Sequence, residues 1–106
     1  MRKTLIGRFA VDSGQAMIGD PCYLDTWQPW DSATTKFEDH VNKAGEYSYL
    51  GACNATITKG YGELNAGSSV VFNTGYGDGV YPVYAELDED GRIVKITIDF
   101  IGEEQD

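Results

Sequence analysis

The feature that most constrains this chain is an alternation of apolar and polar side chains, interrupted by glycine-rich turns. The stretch "LIGRFAV" at 5–11 alternates in this way, and so do the stretches at 46–59 and 92–101, while 80–87 is a further predicted strand. The run "SVVFN" at 69–73 is short and mostly apolar. A period of two is that of a β-strand, because successive side chains point to opposite faces of a sheet. The alternation therefore predicts strands in these stretches.

The first predicted strand leads directly into a turn. "DSGQ" at 12–15 contains side chains that bond their own backbone and a glycine, Gly14, that accepts a positive φ. The following "AMIGD" is a return strand on this interpretation, so 5–20 predicts a β-hairpin. The pair Asp90-Gly91 is typical of the turn that joins two further strands.

A second glycine-rich stretch, "GYGDG" at 75–79, predicts a tight hairpin with Tyr76 and Tyr81 facing each other across it. It lacks the Lys-Ser/Thr that ends a P-loop, and it precedes a strand, whereas the dinucleotide fingerprint precedes a helix. Backbone N–H groups exposed in such a loop can bind an anion. A purely structural turn explains the same residues, so both interpretations stay open.

One segment predicts a helix. Asp31 or Ser32 can cap its start, and Gly45 suits the position just past its end. An apolar stripe with spacings of four, four and three lies between them: Ala33, Phe37, Val41, Ala44. We expect this helix at about 32–43.

The order of the elements predicts the fold class. Six or seven strands and one helix, without a regular alternation of strand and helix, favour an antiparallel sheet. We expect a mainly β fold, an antiparallel sandwich or a partly open barrel, with the short helix packed across it. The length of 106 residues fits a single domain over 1–106.

The charge of the chain excludes some classes of partner. The formal net charge is −9, and eight of the 17 acidic residues lie at 86–106. Such a field repels nucleic-acid backbone and anionic lipid, so we expect neither general nucleic-acid binding nor membrane association. The charge serves solubility or, alternatively, mimics nucleic acid toward a basic partner.

The start of the chain and its cysteines indicate a compartment. The basic start "MRKTLIGRFAV" has no apolar run long enough for a signal peptide, and no segment approaches membrane-spanning length. We therefore expect a cytoplasmic protein with Cys22 and Cys53 as free thiols.

Two kinds of catalytic chemistry are conceivable. Cys22 follows a strand end, and His40, the single histidine, could activate it if the helix lay nearby. Asp12, Asp20 and Asp78 lie in or beside turns and could hold a divalent cation or act as acid and base. Each of these residues also has an ordinary structural role, and the spacing of Cys22, His40 and Cys53 is not that of a zinc site. No cofactor is indicated.

The turns also predict a binding site. Side-chain oxygens and aromatic rings cluster around the two glycine-poised turns, as they do in small-molecule pockets and protein interfaces. The predicted ligand-binding residues are Asp12, Ser13, Asp20, Tyr76, Asp78 and Tyr81.

Two motifs of the chain resemble those of a bacterial and phage family known only as a domain of unknown function. "VDSGQAMIGD" at 11–20 and "TGYGDGVYPVYAELDEDGRIVKITIDF" at 74–100 fit its early DSGQ turn and its late S-G-Y-G-D-G-x-Y-P-x-Y run. Thr74 stands where that run has serine, and "GDPCYL" at 19–24 departs from the aromatic-rich segment of many members. The resemblance covers about the first 20 and the last 35 residues and implies a shared mainly β fold. It supplies no activity.

Three classes of function remain. The first is a non-enzymatic binding module for a small molecule or a protein, such as a host protein in the phage setting that the resemblance implies. The second is a small hydrolase that uses Cys22 with His40 or a carboxylate-held metal. The third is a structural or assembly subunit whose sheet edges pair with other chains. Whether the DSGQ and GYGDG turns lie side by side decides the candidate site, and the sequence leaves this open, as it does the oligomeric state.

Overall fold

The computed structural model describes residues 2–101. In chain order its strands are β1 (Arg2–Val11), β2 (Gln15–Gly19), β3 (Tyr61–Leu64), β4 (Ser69–Asn73), β5 (Gly79–Leu87) and β6 (Ile93–Ile98). An α-helix, α1, covers Tyr49–Thr56, and two 3-10 helices cover Pro21–Thr26 and Phe37–Lys43. The predicted mainly β fold class is thus confirmed, with antiparallel strands and a short helix.

The chain divides into two compact units, which we call the terminal unit and the central unit. The terminal unit contains the described residues at 2–15 and 74–101, and the central unit covers Ala16–Asn73. Each unit is centred on a three-stranded sheet, with the strand order β1-β5-β6 in one and β2-β4-β3 in the other. A single domain over 1–106 is a statement about cooperative folding and stays a prediction.

In the terminal unit β5 is the middle strand and pairs antiparallel with both neighbours. The β1–β5 register runs from Arg2–Leu87 to Val11–Gly79, with an irregularity between Leu5 and Gly7. The turn at Asp90-Gly91 joins β5 to β6 as predicted, and Gly91 has a φ of 84°. The register places the loop that precedes β5 beside the turn that follows β1.

The central unit has a small core beneath its helix. Its buried members come from three segments of the chain: Tyr47, Ala52, Leu64 and Val71. Helix α1 packs against β3, β4 and the second 3-10 helix. Ser48 caps α1, since its hydroxyl accepts a hydrogen bond from the Gly51 backbone N–H at 2.9 Å.

The predicted hairpins at 5–20 and around GYGDG are wrong. Gly14 does adopt the expected positive φ of 72°, but β1 pairs with β5, and β2 lies next to β4 in the other sheet. Likewise β4 and β5 flank GYGDG but belong to different sheets. Alternation shows which residues share a face of a strand and carries no information on the partner strand.

The helix also lies elsewhere than predicted. The predicted strand at 46–59 is wrong, because its central part forms α1, and β3 follows at Tyr61–Leu64. Within the predicted helix at 32–43, the structure has the 3-10 helix Phe37–Lys43. Gly45 has the expected positive φ, 79°. Before Lys36 the chain forms a turn on Asp31, and the Thr35 carbonyl accepts the Trp30 indole N–H at 3.0 Å.

Within residues 2–101, no helix combines the length and the apolar character needed to cross a membrane.

Candidate functional site

The DSGQ and GYGDG turns are joined by one buried residue, Thr74, whose exposed fraction is 2%. Its backbone N–H donates to the Gly14 carbonyl at 3.0 Å. Its hydroxyl lies 2.7 Å from the Gly77 carbonyl and 3.3 Å from the Gly14 carbonyl. Because a threonine hydroxyl has a single hydrogen, the shorter distance identifies Gly77 as its acceptor. The two turns, about 60 positions apart in sequence, therefore lie side by side in the terminal unit.

Around this buried link, the polar side chains of both turns are exposed. The last residue pair of the β1–β5 ladder is Val11–Gly79. Asp12 directly follows β1 and Asp78 directly precedes β5, so each lies one residue beyond this pair. Both aspartates are exposed, and the ring of Tyr76 is exposed to 76%. The adjoining turns thus present two carboxylates and a large aromatic ring from a backbone held by hydrogen bonds.

Tyr81 supports this surface from beneath. It is 4% exposed, and its hydroxyl donates to the Gly77 carbonyl at 2.7 Å. Its ring packs edge-on against Phe100, with centroids 5.2 Å apart, and obliquely against Phe9 at 6.3 Å. The predicted opposition of Tyr76 and Tyr81 across a hairpin is therefore wrong: Tyr76 lies on the surface, and Tyr81 fixes the loop.

The third predicted carboxylate, Asp20, belongs to the central unit. It precedes the 3-10 helix Pro21–Thr26, and its Oδ1 accepts the Cys22 backbone N–H at 3.0 Å, so it caps that helix. Among the residues that the structure describes, no group of three or more His, Cys, Asp and Glu could hold a metal ion.

Cys22 lies in the 3-10 helix Pro21–Thr26, and His40 lies in the 3-10 helix Phe37–Lys43. Desolvation and the neighbouring Asp20 carboxylate raise the pKa of the Cys22 thiol. A raised pKa lowers the fraction of reactive thiolate at neutral pH. His40 lies in the second 3-10 helix, where its Nδ1 is 3.2 Å from the Phe37 carbonyl oxygen and its ring lies against Phe37.

Cys53 is a buried free cysteine, and it lies in α1, where the sequence predicts a strand. Desolvation and a hydrogen bond with Cys53 raise the pKa of the Tyr49 hydroxyl, which keeps this tyrosine protonated. The pair is a satisfied part of the helix packing.

The central unit contains a pocket that was not predicted from the sequence. The space inside it measures about 40 Å³ and is partly open to solvent, and its walls include Gln28, Trp30, Lys43, Glu46 and Ser48. In the sequence this segment contains two tryptophans that flank a proline in "WQPW", and their spacing carries no information on what they face.

Comparison with known proteins identifies a family whose function is unknown. Residues 5–98 match the family model described as "Protein of unknown function (DUF4241)". Neither the curated proteins nor the solved structures contain a match to the chain.

Proposed function

The chain belongs to the DUF4241 family, whose description assigns no activity, and we propose that it is a small non-enzymatic binding module. The binding surface is the adjoining pair of turns in the terminal unit. The observation that carries the proposal is the buried Thr74, which ties the two turns together while their polar side chains stay exposed. Binding sites are built in this way, with exposed contact groups on a backbone that buried neighbours hold in place.

The contact groups of this surface are Asp12, Ser13, Tyr76 and Asp78. Tyr76 provides a large amphipathic ring of the kind that dominates protein interfaces. Tyr81 acts only as a support, because its ring is buried and its hydroxyl is bonded to Gly77. Asp20 is left out of the surface, since its carboxylate caps a helix in the central unit.

The chemistry of these groups favours a basic segment of a partner protein. Asp12 and Asp78 each lie one residue beyond the last pair of the β1–β5 ladder. A guanidinium can bond carboxylates while it also stacks on a tyrosine ring. The net charge of −9 steers a basic partner toward the molecule. In the bacterial and phage setting that the sequence resemblance implies, such a partner would be a host protein.

A titration with a defined peptide tests the surface. The full chain, labelled with ¹⁵N, is titrated with a peptide of alternating arginine and glycine, and with the same peptide in which citrulline replaces arginine. We expect the arginine peptide to shift the amide signals of the two turns in a saturable way. The citrulline peptide lacks the charge and is expected to bind at least tenfold more weakly.

Matched variants separate this site from the net charge. The double variant Asp12→Asn/Asp78→Asn should weaken the arginine peptide at least tenfold, and Tyr76→Ser should weaken it severalfold. The control variant Glu63→Gln/Glu89→Gln removes the same charge from two exposed glutamates outside both turns. Equal weakening by the control would mean that only net charge attracts the peptide, and the proposed surface would be abandoned.

A further inference from the structure

The central unit contains a pocket between the segment around Trp30 and the start of α1. The pocket is partly open to solvent, and the space inside it measures about 40 Å³. Sites for drug-sized ligands measure roughly 300–1,000 Å³, so only a small molecule or the polar end of one fits inside. Apolar wall comes from Trp30 and Leu50, and polar wall from Gln28, Lys43, Glu46 and Ser48.

The indole of Trp30 is fixed although it is partly exposed. Its N–H donates to the Thr35 carbonyl at 3.0 Å. Its ring stacks on Tyr49 with centroids 5.1 Å apart and meets Phe37 edge-on at 6.1 Å. A 37% exposed indole held by three contacts offers apolar area to a ligand with little loss of side-chain entropy.

Two opposite charges line the same pocket. The Lys43 ammonium lies 3.7 Å from a Glu46 carboxylate oxygen, and the side chains are 39% and 30% exposed. Charge-assisted hydrogen bonds are shorter, about 2.7–2.9 Å, so each group keeps capacity for a further partner. A pair this exposed contributes little to stability, and a ligand that binds both charges can replace it at small cost.

Two neutral groups add one donor and one acceptor. The Ser48 hydroxyl accepts the Gly51 N–H at 2.9 Å, and its own hydrogen has no acceptor among residues 2–101 although the residue is only 4% exposed. The Gln28 amide nitrogen donates to the Thr26 carbonyl at 3.2 Å, which leaves its Oε1 as an acceptor. The pocket therefore offers donors on Lys43 and Ser48 and acceptors on Glu46 and Gln28.

We propose that this pocket binds a free α-amino acid with an aliphatic side chain. Its carboxylate accepts from Lys43 and Ser48, its ammonium group donates to Glu46 and Gln28, and its side chain lies against the apolar wall. A simple anion would leave Glu46 without a partner, and a simple cation would leave Lys43 without one. A zwitterion satisfies both charges at once, and its two charged groups form the small polar end that enters the pocket.

Three matched ligands test the charge pattern on the unmodified chain. L-Leucine carries both charges, L-leucinamide lacks the carboxylate, and 4-methylpentanoate lacks the amine. In ¹⁵N amide titrations we expect L-leucine to shift signals within 28–50 in a saturable way, and each analogue to bind at least tenfold more weakly. Analogues that bind as tightly as L-leucine, or an absence of saturable shifts in this segment at 20 mM L-leucine, would overturn the proposal.

Variants test the location. Lys43→Gln and Glu46→Gln should each weaken L-leucine binding at least tenfold. The control pair is Lys95 and Glu86, an ion pair in the terminal unit with an N–O distance of 3.6 Å and side chains that are 65% and 25% exposed. Lys95→Gln and Glu86→Gln should leave binding within twofold of the unmodified chain. Unchanged binding in both pocket variants would overturn the assignment, and the ligand series decides the matter if a variant fails to fold.

Discussion

In the terminal unit the buried Tyr81 is fixed by strand register and by a hydrogen bond to a turn, whereas the central unit buries Leu64 and Val71 against a short helix. The long strands of the terminal unit follow the alternation in the sequence. The central unit buries consecutive residues of α1, from Leu50 to Cys53, so that no polar face alternates with an apolar one. The alternation of apolar and polar residues therefore predicts strands correctly in the terminal unit, whereas in the central unit it predicts a strand at the position of α1.

The glycines show the same difference between the units. A Cβ at Gly51, in the central unit, would collide with the backbone carbonyl of Glu46. A Cβ at Gly75, in the terminal unit, would have no heavy atom within 4 Å of it. Close backbone approach thus shapes the start of α1, while the loop before β5 is open at that position.

The largest effect that we predict comes from these glycines. Gly51→Ala should lower the free energy of unfolding by about 3 kcal/mol, the upper end for overpacking a buried site. Gly75→Ala, the matched control, should change it by less than about 0.5 kcal/mol, as surface substitutions usually do. Urea denaturation of both variants measures the difference, and similar midpoints would contradict the close approach at Gly51.

A smaller effect should follow at the link between the two turns. Thr74→Val keeps the shape of the side chain and removes one hydrogen bond to the Gly77 carbonyl. Tyr81→Phe removes the other one. Each variant should lower the free energy of unfolding by about 1 kcal/mol. The double variant removes both side-chain donors from the same carbonyl. We expect the double variant to lower the free energy of unfolding by more than the sum of the two single variants. The reason is that it leaves the Gly77 carbonyl without either side-chain donor, whereas each single variant leaves one donor in place.

Urea midpoints of the two single variants and the double variant complete this thermodynamic cycle. Ser13→Ala, which changes an exposed hydroxyl in the same turn, is the control and should alter stability little. Strict additivity in the double variant would show that the two hydroxyls do not share Gly77.

The smallest effect concerns Cys22 in the central unit. The raised pKa of this thiol means less thiolate at pH 7.5 than in a free cysteine, so iodoacetamide should alkylate it more slowly than a model thiol. Asp20→Asn removes the neighbouring negative charge, which lowers the pKa and speeds the reaction. Alkylation is followed by mass spectrometry in the folded chain, where Cys53 is buried. If Cys22 reacts faster than the model thiol, that result would support the hypothesis of a hydrolase that uses Cys22.

Much of the terminal unit could be predicted from sequence, and less of the central unit. The strands predicted at 5–11, 80–87 and 92–101 correspond to β1, β5 and β6. The residue types at Asp90-Gly91 predict the turn that joins β5 to β6. In the central unit the alternation of Tyr47, Tyr49 and later residues predicted a strand where α1 lies. Small residues pack closely in either structure, so their spacing could not distinguish a strand from a buried helix.

The sequence places Asp12, Ser13, Tyr76 and Asp78 in glycine-rich turns, and the structure brings those turns together. The supporting role of Tyr81 and the capping role of Asp20 could not be predicted, because burial and hydrogen-bond partners depend on the fold. The pocket beside Trp30 was missed for the same reason.

By itself, the sequence determined the mainly β class, the faces of three long strands and the positions of the principal turns, because these depend on local periodicity and backbone preference. Only the tertiary structure decided that β1 pairs with β5 and that Thr74 joins two turns about 60 positions apart. It also decided that Lys43 and Glu46 line a pocket with Trp30. These features are contacts between distant segments, and strand alternation does not encode which segments meet.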